Sequence, residues 1–457
     1  MAETSRKRAV AALALAFALA ACDRSVLLGS DEAVVAPDAP PDEIDFDGPL
    51  VHPPDRPDVT AEEAAAPDAT PDAALDADVT LDAAPDADVA LDASLDGAPD
   101  ADAPDDVAPD LPRPTRVGPT VALALGGRHG CARSSDGALW CWGANDHGQL
   151  GDGTTTARAR PTPLAGPAGV VALAAGADHT CALAGSRVWC WGRGGGGRLL
   201  RAGDTDASRP FDTGVEASAV AAGEAHTCVL RAGAVSCWGA DDRGQLGGVP
   251  AGAAVPLPRP AVAVRAGGSF TCAALDDATA WCWGANDRGQ LGRGALTPRE
   301  APGAVEGVAG VTSLALGDGH ACARASGGTW CWGDRADGQL GDGTGAPRPR
   351  AARVDAWGFA EAIACGGAFT CGLSSPEARC AGRNDRGQLG DGTLTSRGEP
   401  VTTLGFPRTS LTLLAAGARH GCAETADRMT WCWGDGADGQ LGTEVLDVST
   451  TRAAVRW

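Results

Sequence analysis

Beyond residue 113, apolar and polar positions fall into short runs whose order repeats. "VVALAAG" (170–176) is a run of small apolar residues that ends on a glycine. "HTCAL" and "RVWCWG" follow it, alternating around a tight turn with the period of half-buried strands. A proline-marked segment such as "RPTPL" (160–164) supplies a fourth strand, and proline suits an edge where no ladder donor is needed. Four short antiparallel strands in about 50 residues predict a β-propeller blade.

The unit occurs seven times. W-C-W-G stands at 140, 189, 281, 330 and 431, with relics "SCWG" at 236 and "RCAG" at 379. Upstream, G-x-x-[HF]-x-C places a cysteine at 131, 181, 228, 272, 322, 371 and 422, a period of 44 to 51 residues. "GQLG" follows at 148, 244, 289, 338, 387 and 439, whereas copy two has "GGGGRLL". Such a period is a repeat architecture. The chain is therefore expected to be all-β, a seven-bladed β-propeller of four-stranded antiparallel blades over 113–457. "TTRAAVRW" is expected as the last blade's outer strand, and "RPTRVGPTVALALG" opens the first, so the ring closes by joining the two ends.

These residues resemble the regulator of chromosome condensation repeat family in all seven units. The resemblance rests on the G-x-x-H turn, the W-G after the third strand, and "NDRGQLGDGT" at 384–393. It implies a seven-bladed propeller, in agreement with the spacing. It also implies a histidine-bearing face, which in the eukaryotic member contacts a small GTPase. Guanine-nucleotide exchange is not expected here, because no long inserted hairpin of the kind that displaces nucleotide is present. An inhibitor of β-lactamases with a similar propeller shows the family in extracytoplasmic binding.

Composition divides the chain before residue 113. Arg6, Lys7 and Arg8 precede the apolar run "AVAALALAFALAA", and "LAAC" ends it; the run is too short to span a bilayer and reads as a signal peptide over 1–21. The ending resembles a bacterial lipobox, which implies lipidation of Cys22. Residues 22–112 are mostly Ala, Asp and Pro, too poor in large apolar residues to offset ordering entropy, and read as a disordered tether. Residues 23–112 hold 26 of the 59 acidic residues and 2 of the 37 basic ones, leaving 32 of each after residue 112. The excess acidity thus belongs to the tether and says nothing about what the propeller binds. The expected location is the cell envelope, anchored by lipid to the outer or cytoplasmic membrane with the propeller outside the cytoplasm.

Apart from Cys22, the cysteines form seven couples and leave Cys365. Cys131–Cys141, Cys181–Cys190, Cys228–Cys237, Cys272–Cys282, Cys322–Cys331, Cys371–Cys380 and Cys422–Cys432 each straddle the second turn of a unit, nine or ten positions apart. Residues facing across a hairpin behave this way, and in an exported protein they should oxidise. Zinc would need C-x₂₋₄-C clusters and redox catalysis C-x-x-C, and both are absent.

His129, His179, His226, His320 and His420 share the G-x-x-H position, where copies four and six have Phe270 and Phe369. Phenylalanine cannot ligate, so a packing and hydrogen-bonding role is expected there and no metal. Up-and-down blades place these turns and the N-D-x-G-Q-L-G loops on one rim, which makes the five histidines and His147 the candidate binding rim. Gln149, Gln245, Gln290, Gln339, Gln388 and Gln440 are expected to tie their own loops, and the strand tryptophans to pack between blades. No G-x-S-x-G, H-E-x-x-H or phosphate loop appears, and no cofactor is called for. The functional expectation is a non-enzymatic, monomeric scaffold for an unidentified protein partner, with no nucleic acid. A glycan or cell-wall module is the alternative, and a hydrolase built on Asp204, Asp206 and Asp212 the third. The irregular loop of copy two (193–211) reads equally as a specificity loop or a tolerated insertion.

Overall fold

A computed structural model of the chain describes residues 118–406 and 410–457; the calls for the signal peptide, Cys22 and the tether lie outside these residues. From Thr120 to Ala454 the strands form seven antiparallel sheets, each from consecutive chain and ordered from the innermost strand outward. Six sheets have four strands. In the third, the fourth position is reduced to one bridge, Ser236–Ala254, beside the strand Ala234–Gly239. The outer strand of blade 7 is Ser449–Ala454 and the inner strand of blade 1 is Thr120–Leu125, so no blade mixes the two ends of the chain.

A belt of backbone hydrogen bonds circles the channel where each inner strand turns. Gly127, Ala177, Glu224, Gly268, Asp318, Gly367 and Ala418 each donate N–H to a carbonyl of the next blade's turn, and the bond from Ala418 to Gly126 closes the ring. The approach explains the repeated glycine. A Cβ on Gly126 would lie 2.3 Å from the His129 ring and 2.4 Å from the carbonyl oxygen of Gly176.

The second tryptophan of W-C-W-G makes the main joint between blades. Trp191 donates Nε1–H to the backbone carbonyl of Gln149 in the preceding blade at 2.9 Å, and Trp142 repeats the bond to Gln440 at 2.8 Å across the closing seam. The seam also buries Glu424, which accepts from the Thr120 N–H at 3.1 Å and from the Thr430 hydroxyl. Trp457 packs edge-on against both Trp140 and Trp142 there.

Blade 6 has Ala381 where the joint needs tryptophan, and the structure supplies one from elsewhere. Trp357, in the single 3₁₀ turn Asp355–Trp357 before that blade, is buried beside Ala381 and donates Nε1–H to the Leu340 carbonyl at 2.8 Å. Two substitutions test this exchange. Trp357→Ala should destabilise by about 3–5 kcal/mol, and Ala381→Trp alone by about 1–3 kcal/mol through overpacking. Together they should recover most of the loss in urea unfolding, because the double variant restores the joint of the other blades. Additive losses would show that Trp357 fills an unrelated space.

All seven predicted cysteine couples are disulfides, each between directly paired residues of the second and third strands with Cα atoms 4.1 Å apart. Cys365 is a buried free thiol, pushed up to about 12 by desolvation.

Candidate binding face

The G-x-x-[HF] turns and the loops between third and fourth strands share one face, as Arg128 shows by pairing with Asp146 of its own blade's loop and Asp438 of blade 7. The five histidines assigned to the binding rim do not reach its surface. His129, His179, His226, His320 and His420 are fully buried between blades, which corrects their assignment as partner contacts. Nε2 of His129, His179, His226 and His320 bonds the hydroxyl of Thr180, Thr227, Thr271 and Thr370 of the next blade, at 2.8 to 3.0 Å. In three joints the threonine hydroxyl then donates to the carbonyl that takes the tryptophan bond, that of Gln149, Arg198 or Gln245. The imidazole therefore carries its proton on Nε2.

This relay accounts for the phenylalanines. Where the next blade has Ala321 or Gly421 in place of threonine, the ring position holds Phe270 or Phe369. His420 is the exception: blade 1 has Gly130 at the threonine position, and neither nitrogen of His420 has a partner among the described residues. His420→Phe should therefore stabilise the chain by about 1 kcal/mol or more, whereas His226→Phe should cost about 1 kcal/mol. Thermal unfolding of the two variants reads the opposite signs.

The loops on this face are held by their own side chains, as the repeated Asn, Asp and Gln predict. Each of Gln149, Gln245, Gln290, Gln339, Gln388 and Gln440 accepts a backbone N–H two residues before it at 2.8 to 3.0 Å. Asn145 and Asp152 in blade 1, and Asn384 and Asp391 in blade 6, make matching networks that end on Arg158 and Arg397. The frame presents Asp146 and His147 in blade 1, an Asp–Arg pair in blades 3, 4 and 6 (Asp242 and Arg243, Asp287 and Arg288, Asp385 and Arg386), and Asp337 and Asp438 in blades 5 and 7.

Copy two departs most. Arg198 takes the glutamine position and donates Nε–H to the Gly195 carbonyl, so a donor replaces an acceptor and the loop re-forms around glycines. Six blades place glycine at the turn's positive-φ position, among them Gly151 and Gly247; blade 2 has Leu200 there at φ 55°, and it is exposed. A non-glycine residue in that region costs about 1–2 kcal/mol. His147 does lie on the face, where its Nδ1 bonds Asp206 at 2.8 Å and fastens this loop to blade 1. The acidic group considered for hydrolysis does not converge. Asp206 is engaged by His147 and the Gly194 N–H, while Asp212, near the middle of the outer strand Ala207–Glu216, pairs with Arg187. Trp357, Glu424 and the histidine–threonine relay escaped the sequence reading. Only the relay left a signal, in the residue after each histidine one copy on.

A closed ring of seven such blades, with a loop frame repeated on one face, defines a seven-bladed β-propeller. The family model described as the RCC1-like domain matches residues 97–378, and the chain belongs to that family. Human and mouse E3 ubiquitin-protein ligase HERC2 are each 44% identical over 69 residues, 15% of this chain; the chain covers only 1% of those proteins. Three solved structures share the fold. Yeast RCC1 (Prp20) bound to Kap60 has a TM-score of 0.62 at 20% identity, covering 75% of this chain and 86% of that one. Prp20p of Saccharomyces cerevisiae, described with its binding properties to Gsp1p and histones, has 0.62 at 21%, covering 75% and 87%. Human WBSCR16 has 0.63 at 19%, covering 70% and 94%.

Proposed function

We propose that the chain is a non-enzymatic scaffold that binds a protein partner at the cell envelope through the loop-bearing face. The observation that carries this reading is the loop frame that recurs in six blades and holds charged side chains around one face. The strained, exposed Leu200 adds to it, because such outliers concentrate at functional sites. The solved relatives include proteins named with protein partners, which agrees with this use of the fold. Seven disulfides favour an oxidising compartment, in keeping with export and with an anchor at Cys22. The second tryptophan of the W-C-W-G motif is buried between blades, whereas Trp189, Trp281, Trp330 and Trp431 are half-buried on the strands.

Cross-linking and pull-down of the full chain from envelope fractions tests the reading. A chain with Gly194–Asp204 replaced by the blade 1 loop should lose the captured protein. Retention of the same partner would move the contact off the blade 2 loop to the other loops of this face, and capture of cell-wall glycan alone would overturn the proposal. Cys22→Ser should shift the protein from the membrane to the soluble fraction.

A further inference from the structure

Cys365 is the one free thiol among the described residues, and it stands beside a disulfide. It occupies the last position of the inner strand Ala362–Cys365, just before the turn glycine, where four other blades have Ala175, Ala222, Ala266 and Ala416. Register places it directly opposite Thr370, so both side chains lie on the blade 6 face that meets blade 5. The Cys322–Cys331 disulfide of blade 5 borders the same joint and shares one buried apolar cluster with Cys365. The strand His320–Ala325, which carries Cys322, lies against Ala362–Cys365.

Thr370 links the thiol to the disulfide. At two earlier joints the equivalent threonine touches the first cysteine of the preceding blade: the Thr227 hydroxyl lies 3.9 Å from the Cys181 sulfur, and that of Thr271 3.7 Å from the Cys228 sulfur. Thr370 holds the same place in blade 6, after Cys322 in blade 5. Its hydroxyl bonds His320 Nε2 at 2.8 Å, as in the other relays, but its own proton goes to the Cys365 sulfur at 3.7 Å. The relay that ends elsewhere on the carbonyl of Gln149, Arg198 or Gln245 thus ends here on a thiol. Burial pushes that thiol up, while the Thr370 hydroxyl and the backbone N–H of Cys322 act against the rise.

We propose that Cys365 is an exchange thiol that moves the blade 5 disulfide across the joint, from Cys322–Cys331 to Cys322–Cys365. The thiol loses its proton to solvent in the channel, whose wall it lines. The thiolate attacks the Cys322 sulfur, the Cys322–Cys365 bond forms, and the Cys322–Cys331 bond breaks with its electron pair on Cys331. Cys331 then takes up a proton. One thiol and one disulfide are present before and after, so no oxidant or reductant is consumed. The product is a covalent link between blades 5 and 6, at the one joint where Ala381 replaces the second W-C-W-G tryptophan.

Peptide mapping of the full chain tests the exchange, because Arg324 lets trypsin separate Cys322 from Cys331. The chain is held at pH 7.5, 8.5 or 9.5, quenched with acid, labelled with N-ethylmaleimide in urea and digested without reductant. At pH 7.5 the label should fall on Cys365. At higher pH a Cys322–Cys365 peptide pair should appear with the label on Cys331, about tenfold faster per pH unit as the thiolate fraction rises. Cys365→Ala, which takes the residue of four other blades, should keep Cys322–Cys331 at every pH. Cys331→Ala should form the Cys322–Cys365 bond on mild oxidation with diamide. Absence of the pair from the wild-type chain at pH 9.5 would overturn the proposal, whether or not Cys331→Ala forms it. So would label spread equally over the cysteines of other blades, or loss of Cys322–Cys331 at the same rate in Cys365→Ala.

Discussion

The propeller should lose stability steeply as pH falls below about 6.5, well before its carboxylates titrate. Desolvation depresses the five joint histidines: His129, His226 and His320 to about 4, His420 to about 3, and His179 well below its ordinary value of 6.5. In the unfolded chain each would take up a proton near pH 6.5, while in the folded chain each stays neutral. The unfolded state therefore binds more protons below that point, and unfolding is favoured as pH drops. Each histidine contributes a slope of at most about 1.4 kcal/mol per pH unit, so five together reach about 7 kcal/mol per unit near pH 5. That slope is comparable to the whole stability of an ordinary domain. Urea midpoints should be flat between pH 7.5 and 8.5, fall sharply from 6.5 to 5, and recover when pH is raised. Replacing His226 and His320 by phenylalanine should remove about two-fifths of the slope. A midpoint that does not change between pH 7.5 and 5.5 would mean that the buried rings titrate normally.

The same histidines mark where sequence reading stopped. The blades were legible because each repeats one alternation of apolar positions seven times, and period-two patterns fix which residues face inward. The disulfides were legible because a nine- or ten-residue spacing follows the turn length. A packing and hydrogen-bonding role for the histidine was legible from Phe270 and Phe369 at the same position, but its partner was not. Its partner is Thr180, Thr227, Thr271 or Thr370 of the following blade, a contact that exists only once the blades are arranged in a ring. Trp357 was hidden for the same reason: it lies in a connecting segment outside the repeat and substitutes for a residue 24 positions downstream.

Reduction of the disulfides should cost the chain its fold, yet the native protein should resist reductant. In the loop-entropy model a closed loop of nine or ten residues stabilises by about 2–3 kcal/mol, less where the hairpin is already formed. Even half that value, taken seven times, is about 7–10 kcal/mol, the scale of a domain's total stability. The cysteines are buried at the blade faces, so a thiolate reaches them only when neighbouring blades part. Reduction should thus be slow in buffer and fast near the urea midpoint, with the seven bonds lost nearly together. Once reduced, the chain should unfold at a much lower urea concentration. Alkylation of the unreduced chain in urea should label Cys365 and none of the fourteen paired cysteines. The opposite ordering, rapid reduction in buffer with the urea midpoint retained, would show that the blade-to-blade joints of tryptophan, threonine and glutamine hold the ring unaided.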